Sequence, residues 1–447
     1  MARTLIKDIQ DHVHDSVTLS GWVDIIRDHG KLVFIDLRDR SGTVQMVVKK
    51  DAEKAFEIAQ TLRPQSSIQI TGLVNERPEK MRTDSPNGNV EIQVEELTVL
   101  NMAQELPFEL DAELNLDTLL DHRPLTLRSE RSRDIFKVAA TIVQAYREAL
   151  IKNEFTEFQA PALVGRDAEG GAEVFRVKYF DDHDAFLATS PQLYKEIMTG
   201  VYERAFTIAK IFRAEKSATT RHLSEITQMD FEMAFIKDHR DVMDMLETVI
   251  RHTTQKVIAA HTDIFEKFQS SAPLLPEKPF PRLTLLEAQE IIEKEFGSKA
   301  VGEPDLEPEH ERQICEWAQK EHQSDFVFIT AFPTKKRAFY TYPDPENPES
   351  SYSFDLLFRG LEINSGSQRF HDYDSMVDMI TQRGMNPDHF GFYLQMHKYG
   401  VPPHGGCSTG LERFTARMLE LQNVKEAVPF PRDMNRIDTL LHGNDEQ

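Results

Sequence analysis

The sequence predicts an α+β protein in two parts. The first is an N-terminal five-stranded β-barrel of the OB-fold type; the second is a larger domain with an antiparallel sheet flanked by helices. Three observations carry this. Residues 17–100 fall into five short runs that alternate apolar and polar with a period of two. One helical stretch separates the third run from the fourth, the arrangement of a small Greek-key barrel. From about residue 131, long amphipathic helices interleave with further alternating runs, which suits antiparallel strands and helices in one domain.

The strand runs of the barrel are VTLSGWVDII, KLVFIDLRD, TVQMVV, SIQITGLV and VEIQVEELTVL, with DAEKAFEIAQTL as the helix. Turn signals at Asp28-His29-Gly30, Ser41-Gly42 and Asn87-Gly88 punctuate them. Barrels of this kind commonly bind single-stranded nucleic acid on the face of strands 2 and 3. Residues 105–130 are Pro-punctuated and aperiodic, so they read as a hinge between a domain at 1–104 and one at 131–447. The second domain opens with SRDIFKVAATIVQAYREALIKN, apolar at spacings of three and four. Strand-like runs AFLATS, AFTIAKIFRAE, TQMDFEMAFI, DFVFITAF and SYSFDLLFRGLEINS follow, with the helix DVMDMLETVIRHTTQKVIAA among them.

The chain of 447 residues is 40% hydrophobic and 28% charged, which excludes disordered and fibrous classes. No apolar run resembles a signal peptide or reaches membrane-spanning length. The only cysteines, Cys315 and Cys407, form no CxxC pair, so neither a disulfide framework nor a zinc site is expected, and a reducing cytoplasm is the simplest location. The formal charge of −22 weighs against a polyanionic partner. However, residues 1–100 hold 13 Lys and Arg against 16 Asp and Glu, so nearly all of that charge lies beyond the barrel.

Three stretches carry chemistry. In IFRAEKSATTRHLSEITQMDFEMAF, a loop with Arg213, Glu215, Arg221 and His222 lies between two strand runs, and Arg213 at a strand end suits bidentate grip of a phosphate. In FDLLFRGLEINSGSQRF, Glu362 and Ser365 offer oxygen ligands of the kind Mg²⁺ takes, and Arg369 is free for a carboxylate. In GVPPHGGCSTGLERFTARMLEL, a glycine-rich turn that lets a ring or phosphate approach the backbone runs into a helix bearing Arg413. Read alone, Gly406 to Gly410 also fits G-x-S-x-G, with Ser408 as an elbow nucleophile, but too few residues follow for the rest of that fold.

In this order the three stretches resemble the signature of class II aminoacyl-tRNA synthetases. FRAEKSATTRHLSEI, SPQLYKE, EGGAEVFRVKYF, RGLEINSGSQR, KYGVPPHGG and VPFPRDMNR are similar to aspartyl-tRNA synthetases of the archaeal type, over residues 17–436. The resemblance implies a class II catalytic domain and an aspartate–tRNA ligase using ATP and Mg²⁺. Asparaginyl-tRNA synthetase, or a synthetase-like paralogue, is the alternative. Arg213, Glu362 and Arg413 are the implied catalytic residues. ATP falls to Arg213, Ala214, Glu215, Arg221, His222, Leu223, Glu362, Gly410, Leu411, Glu412 and Arg413, and the metal to Glu362 and Ser365. Aspartate falls to Glu169, Gln192, Lys195, Arg213, Ser365 and Arg369, with Lys195 and Arg369 as two cations facing the substrate carboxylate. Arg27, Phe34 and Gln45 are implied at the anticodon, and alternation sets Phe34 on the face opposite Val33 and Ile35. Pro161 matches the interface motif of the class, implying a homodimer. The family's glycine turn has glycine where Ser408 stands. The acceptor is left open between tRNA(Asp) alone and tRNA(Asp) with tRNA(Asn), the latter requiring an amidotransferase partner. Asp24 matches neither behaviour.

Overall fold

The computed structural model describes residues 2–165, 173–217 and 219–441. It comprises two compact units, Met1–Ala112 and Glu113–Gln447. Among the described residues no helix is long and apolar enough to cross a membrane.

In the first unit, β1 (Ser16–Asp28), β2 (Leu32–Arg38), β3 (Thr43–Lys49), β4 (Ser67–Glu76) and β5 (Val90–Asn101) close into a barrel in the order β1-β2-β3-β5-β4, with α1 (Glu53–Thr61) between β3 and β4. The five runs and the helix fall where alternation puts them. Val33, Ile35 and Leu37 of β2 and Val44, Met46 and Val48 of β3 point inward and are buried, so each strand leaves its alternate residues on the outer face.

In the second unit, residues 113–130 belong to the domain and not to a hinge. They form α2 (Leu116–Asp121) and α3 (Arg123–Thr126), helices too short for periodicity to register. Arg123 is buried there, donating to the carbonyl oxygens of Glu426, Val428 and Pro429. The long helix α4 (Glu130–Lys152) starts at Ser129, whose hydroxyl accepts from the Ser132 N–H. Then come β6 (Thr156–Glu157), a small sheet of β7 (Leu163–Val164), β8 (Arg176–Lys178) and β9 (Asp184–Leu187), α5 (Gln192–Tyr202), β10 (Arg204–Phe212), β11 (Glu225–Ala234), α6 (His239–Ala260), α7 (Thr262–Phe268), β12 (Arg282–Thr284), α8 (Leu285–Phe296), α9 (Pro308–His322), β13 (Phe326–Thr330), β14 (Ser353–Phe358), β15 (Leu361–Gln368), α10 (Tyr373–Gln382), α11 (Gly391–Lys398), β16 (His404–Gly410) and α12 (Leu411–Met418).

The main sheet has eight strands in the order β12-β13-β14-β15-β16-β11-β10-β6. Its six central strands pair antiparallel, and the edge strands β12 and β6 pair parallel. One face packs on α4 and α6 through a core including Ile142, Tyr146, Phe231, Leu246, Phe354 and Cys407. The alternate residues of β11, β15 and β16 are thereby left on the other face, beneath α5, and the site is built there.

Candidate active site

A cavity of about 350 Å³ opens on that face. Of the residues expected at the site, Gln192, Arg213, Arg221, Leu223, Glu362, Ser365, Arg369, Gly410, Glu412 and Arg413 line it. Lys195, Ala214, Glu215, His222 and Leu411 are not among its lining residues, and Glu169 lies outside the described residues.

Strict alternation would put Glu362 and Ser365, three apart on one strand, on opposite faces. They share a face because the β14–β15 register slips: Leu356 pairs Asn364, whereas Leu357 pairs Glu362, leaving Ile363 as a bulge. Across from Ser365 stands Asp355, whose Oδ2 accepts from Arg337 Nη2 at 2.7 Å. Its Oδ1 is buried with no protein partner, and Arg337 Nη1 also donates to Ser365 Oγ at 3.2 Å. Asp355, absent from the sequence reading, thus joins Glu362 and Ser365 as an oxygen donor. Among the described residues no three His, Cys, Asp or Glu side chains converge into an all-protein metal cage. Carboxylates plus hydroxyl suit Mg²⁺, which keeps waters and takes phosphate oxygens.

Each arginine of the cavity has a carboxylate neighbour. Arg413 Nη1 donates to the Glu362 carbonyl at 3.1 Å and to its Oε2 at 3.3 Å. Arg221 Nη1 donates to Glu311 at 3.2 Å, and Arg213 approaches Glu215 at 4.0 Å. Burial, reinforced by Asp355, pushes the Glu362 carboxyl above its usual range, and burial lifts Glu311 to about 7. Arg213 Nε is buried without a protein partner, so the loop arginine has donor capacity for an anion. Glu412 accepts the Thr227 N–H at 2.9 Å. His222 is held by the hydroxyls of Thr219 and Ser217.

At the other end, Lys195 does not stand free before a substrate. It is fully buried, its Nζ donating to Asp230 Oδ2 at 2.9 Å and to the Cys407 carbonyl at 3.1 Å, with Glu232 Oε2 at 3.5 Å. Nor is Arg369 free: it donates to Glu232 Oε1 at 2.9 Å, to the Gly406 carbonyl at 2.9 Å and to Ser367 Oγ. The expected pair of uncompensated cations is therefore a neutral quartet, with Glu232 between the two, because unpaired charges cannot be buried cheaply. Burial opposes the Lys195 charge, but Asp230 and Glu232 outweigh it and hold the ammonium above its usual range. Gln192 Nε2 donates to the buried Glu196 at 2.6 Å, and Glu196 also accepts from Tyr393 OH. Burial alone would raise Glu196, but its contact with His404 brings it to about 2.

The glycine-rich segment is a strand, not a turn. β16 is paired on both sides, with Ser408 opposite Asp230 on β11 and Ser365 on β15. A nucleophile elbow needs a sharp strand-to-helix turn at the serine. Ser408 lies mid-strand, so that reading fails. Gly406 is required by packing: a Cβ there would stand 2.1 Å from the Phe231 carbonyl oxygen and 2.2 Å from Glu232 Oε2.

The description "tRNA synthetases class II (D, K and N)" fits residues 115–434, and "OB-fold nucleic acid binding domain" fits residues 17–100. The chain belongs to the class II tRNA synthetases. It is 40% identical over 439 residues to an aspartate–tRNA(Asp/Asn) ligase of Thermus thermophilus, covering 97% of this chain and 99% of that one. It is 38% identical to an aspartate–tRNA(Asp) ligase of Pyrococcus abyssi, covering 94% and 95%. Asparaginyl-tRNA synthetase from Pyrococcus horikoshii, complexed with asparaginyl-adenylate, superposes with a TM-score of 0.90 at 33% identity, covering 98% and 99%.

As a class II synthetase the protein is a ligase that uses ATP and tRNA. On its barrel, Phe34 is partly exposed while Val33 and Ile35 are buried, and His29 meets the Phe34 ring edge-on at 5.6 Å. Gln45 is partly exposed on the neighbouring strand. Arg27 stands across from Phe34, but its guanidinium is engaged bidentately by Asp36 at 3.0 Å. Exposed Trp22, with Arg38 over its ring, adds a second aromatic to the same synthetase surface. The sequence reading missed Asp230, Glu232 and Asp355. Their signal was there, as charges inside otherwise apolar strands, a position acids seldom occupy without a partner or ligand.

Proposed function

We propose that this synthetase is an aspartate–tRNA ligase. The α-carboxylate of L-aspartate attacks the α-phosphate of ATP, diphosphate leaves, and the aspartyl group passes from the adenylate to the 3′ end of tRNA(Asp). The observation that carries the reading is Arg369, which lines one end of the cavity and shares Glu232 with the buried Lys195. A substrate carboxylate, with two charged acceptor oxygens, competes for these shared donors better than the single neutral carbonyl oxygen of an asparagine amide. The 40% identity to an aspartate–tRNA ligase supports the same choice.

Arg213 would hold the α-phosphate as charge builds there, and Arg221 and Arg413 would leave Glu311 and Glu362 for the outer phosphates. Mg²⁺ would neutralise phosphate charge, held by Glu362 and Ser365 with Asp355 beside them. No covalent enzyme intermediate is needed; the side chains position and polarise. Phe34 would stack on an anticodon base with Gln45 bonding its edge, and Arg27 would have to leave Asp36 to reach the backbone.

A second acceptor, tRNA(Asn), is favoured by the 40% identity to an aspartate–tRNA(Asp/Asn) ligase. Charging of both tRNAs would call for an amidotransferase partner. We infer a homodimer as well: the groove of about 910 Å³ along α4, lined by Phe136, Ala140, Val143 and Ile151, offers an apolar helical face that a second copy would cover. Transcripts of tRNA(Asp) and tRNA(Asn) should accept labelled aspartate, and no label should pass from asparagine. Aspartate on neither tRNA would sink the assignment.

A further inference from the structure

Across four strands of the sheet a single row of polar residues faces the substrate side: Asp230 on β11, Ser408 on β16, Ser365 on β15 and Asp355 on β14, each paired directly with the next. Directly opposed residues in antiparallel strands hold their Cβ atoms roughly 4.5–5.5 Å apart. Asp230 is tied to Lys195, Ser365 and Asp355 to Arg337. Ser408 is different. It lines the cavity, and its Oγ is buried with no hydrogen-bond partner in the protein.

On this face β16 otherwise carries His404, engaged by Glu196 at the strand's start, and the glycines Gly406 and Gly410, while Cys407 and Thr409 turn into the core. Ser408 is therefore the one side chain that this strand contributes to the cavity floor. A buried hydroxyl without a partner is destabilising, and such groups in folded proteins usually have a role. Its place in the row decides the role. On one side lie the aspartate-end groups, Asp230 with Lys195, and on the other lie the metal and phosphate groups, Ser365 and Asp355. Between them falls the stretch of ligand where the amino-acid carboxylate meets the α-phosphate.

Resting on the aspartate-ligase reading, we propose that Ser408 is a further substrate-contacting residue, its hydroxyl donating to an oxygen of the acyl-phosphate segment of bound aspartyl-adenylate. The residue is a positioning and affinity device set into a strand whose other contribution to the cavity is the bare backbone of Gly410.

The test compares wild type with Ser408→Ala and Ser408→Gly, using calorimetric titration with a non-hydrolysable aspartyl-sulfamoyl adenosine and thermal unfolding without ligand. Both variants should bind the analogue about tenfold more weakly, the worth of one hydrogen bond. Without ligand Ser408→Ala should unfold at the same temperature as wild type or above it, because an unpaired hydroxyl has gone; Ser408→Gly carries in addition the entropic cost of glycine in a strand, so ligand-free stability is judged on the alanine variant. Unchanged affinity in Ser408→Ala overturns the proposal. So does a weakening matched by an equal loss of ligand-free stability, which would mark a structural role. Failure of wild type itself to bind the analogue would instead overturn the aspartate reading, and the proposal with it, whatever residue stands at 408.

Discussion

At the scale of single residues, the buried quartet dominates. Lys195, Asp230 and Glu232 are all fully buried and Arg369 nearly so, and the pairing is what makes their burial tolerable. Lys195→Met removes one cation and strands Asp230, whose second oxygen already has no partner. Breaking such a pair costs about 3–5 kcal/mol, and urea unfolding should show a loss of that order together with loss of aspartate activation. A change under about 0.5 kcal/mol, as expected of a surface lysine, would mean the pairing is wrong. The motifs made Arg213, Glu362 and Arg413 legible, because each sits at a strand end or helix start with polar neighbours. What they could not show is who neutralises whom. Asp230 and Glu232 are far from Lys195 and Arg369 in sequence, and only the strand order and the packing of α5 on the sheet bring them together.

At the scale of elements, β16 shows why glycine misleads. Glycine usually marks turns, so GGCSTG read as one. In the fold the glycines let three strands and a carboxylate approach closely. Gly406→Ala should therefore destabilise by about 2–3 kcal/mol or more, since its nearest obstacle is backbone; a melting temperature equal to wild type would refute the close packing. The bulge at Ile363 was equally invisible, because nothing in an alternating pattern announces a slip of register. At the start of α6, burial depresses His239 to about 4 from an ordinary 6.5, and its ring lies against Tyr352. A histidine with a lowered folded pKa contributes stability that is present above 6.5 and lost as pH falls toward 4. His239→Asn should flatten the stability profile across that window, measured by urea unfolding at stepped pH. An unchanged slope would show that His239 does not titrate as the fold implies.

At the scale of the whole molecule, two units divide the work between a barrel with an aromatic outer face and a domain holding the cavity. The barrel was almost wholly legible, since one buried face per strand enforces strict alternation. The second domain was legible in class but not in full, because its central strands bury both faces and so lose the alternating signal. Division of labour predicts that Phe34→Ala weakens tRNA binding by about 1–3 kcal/mol, raising KM for tRNA roughly 5- to 150-fold. Amino-acid-dependent exchange of diphosphate into ATP, a reaction without tRNA, should stay at the wild-type rate. Equal damage to both reactions would contradict separate roles. That exchange reaction is also the most direct test of what the cavity selects. Run on the wild-type protein with ATP, Mg²⁺ and one amino acid at a time, it should proceed with L-aspartate and stay at background with L-asparagine. Exchange driven by asparagine, or by neither, would contradict the role given to Lys195 and Arg369.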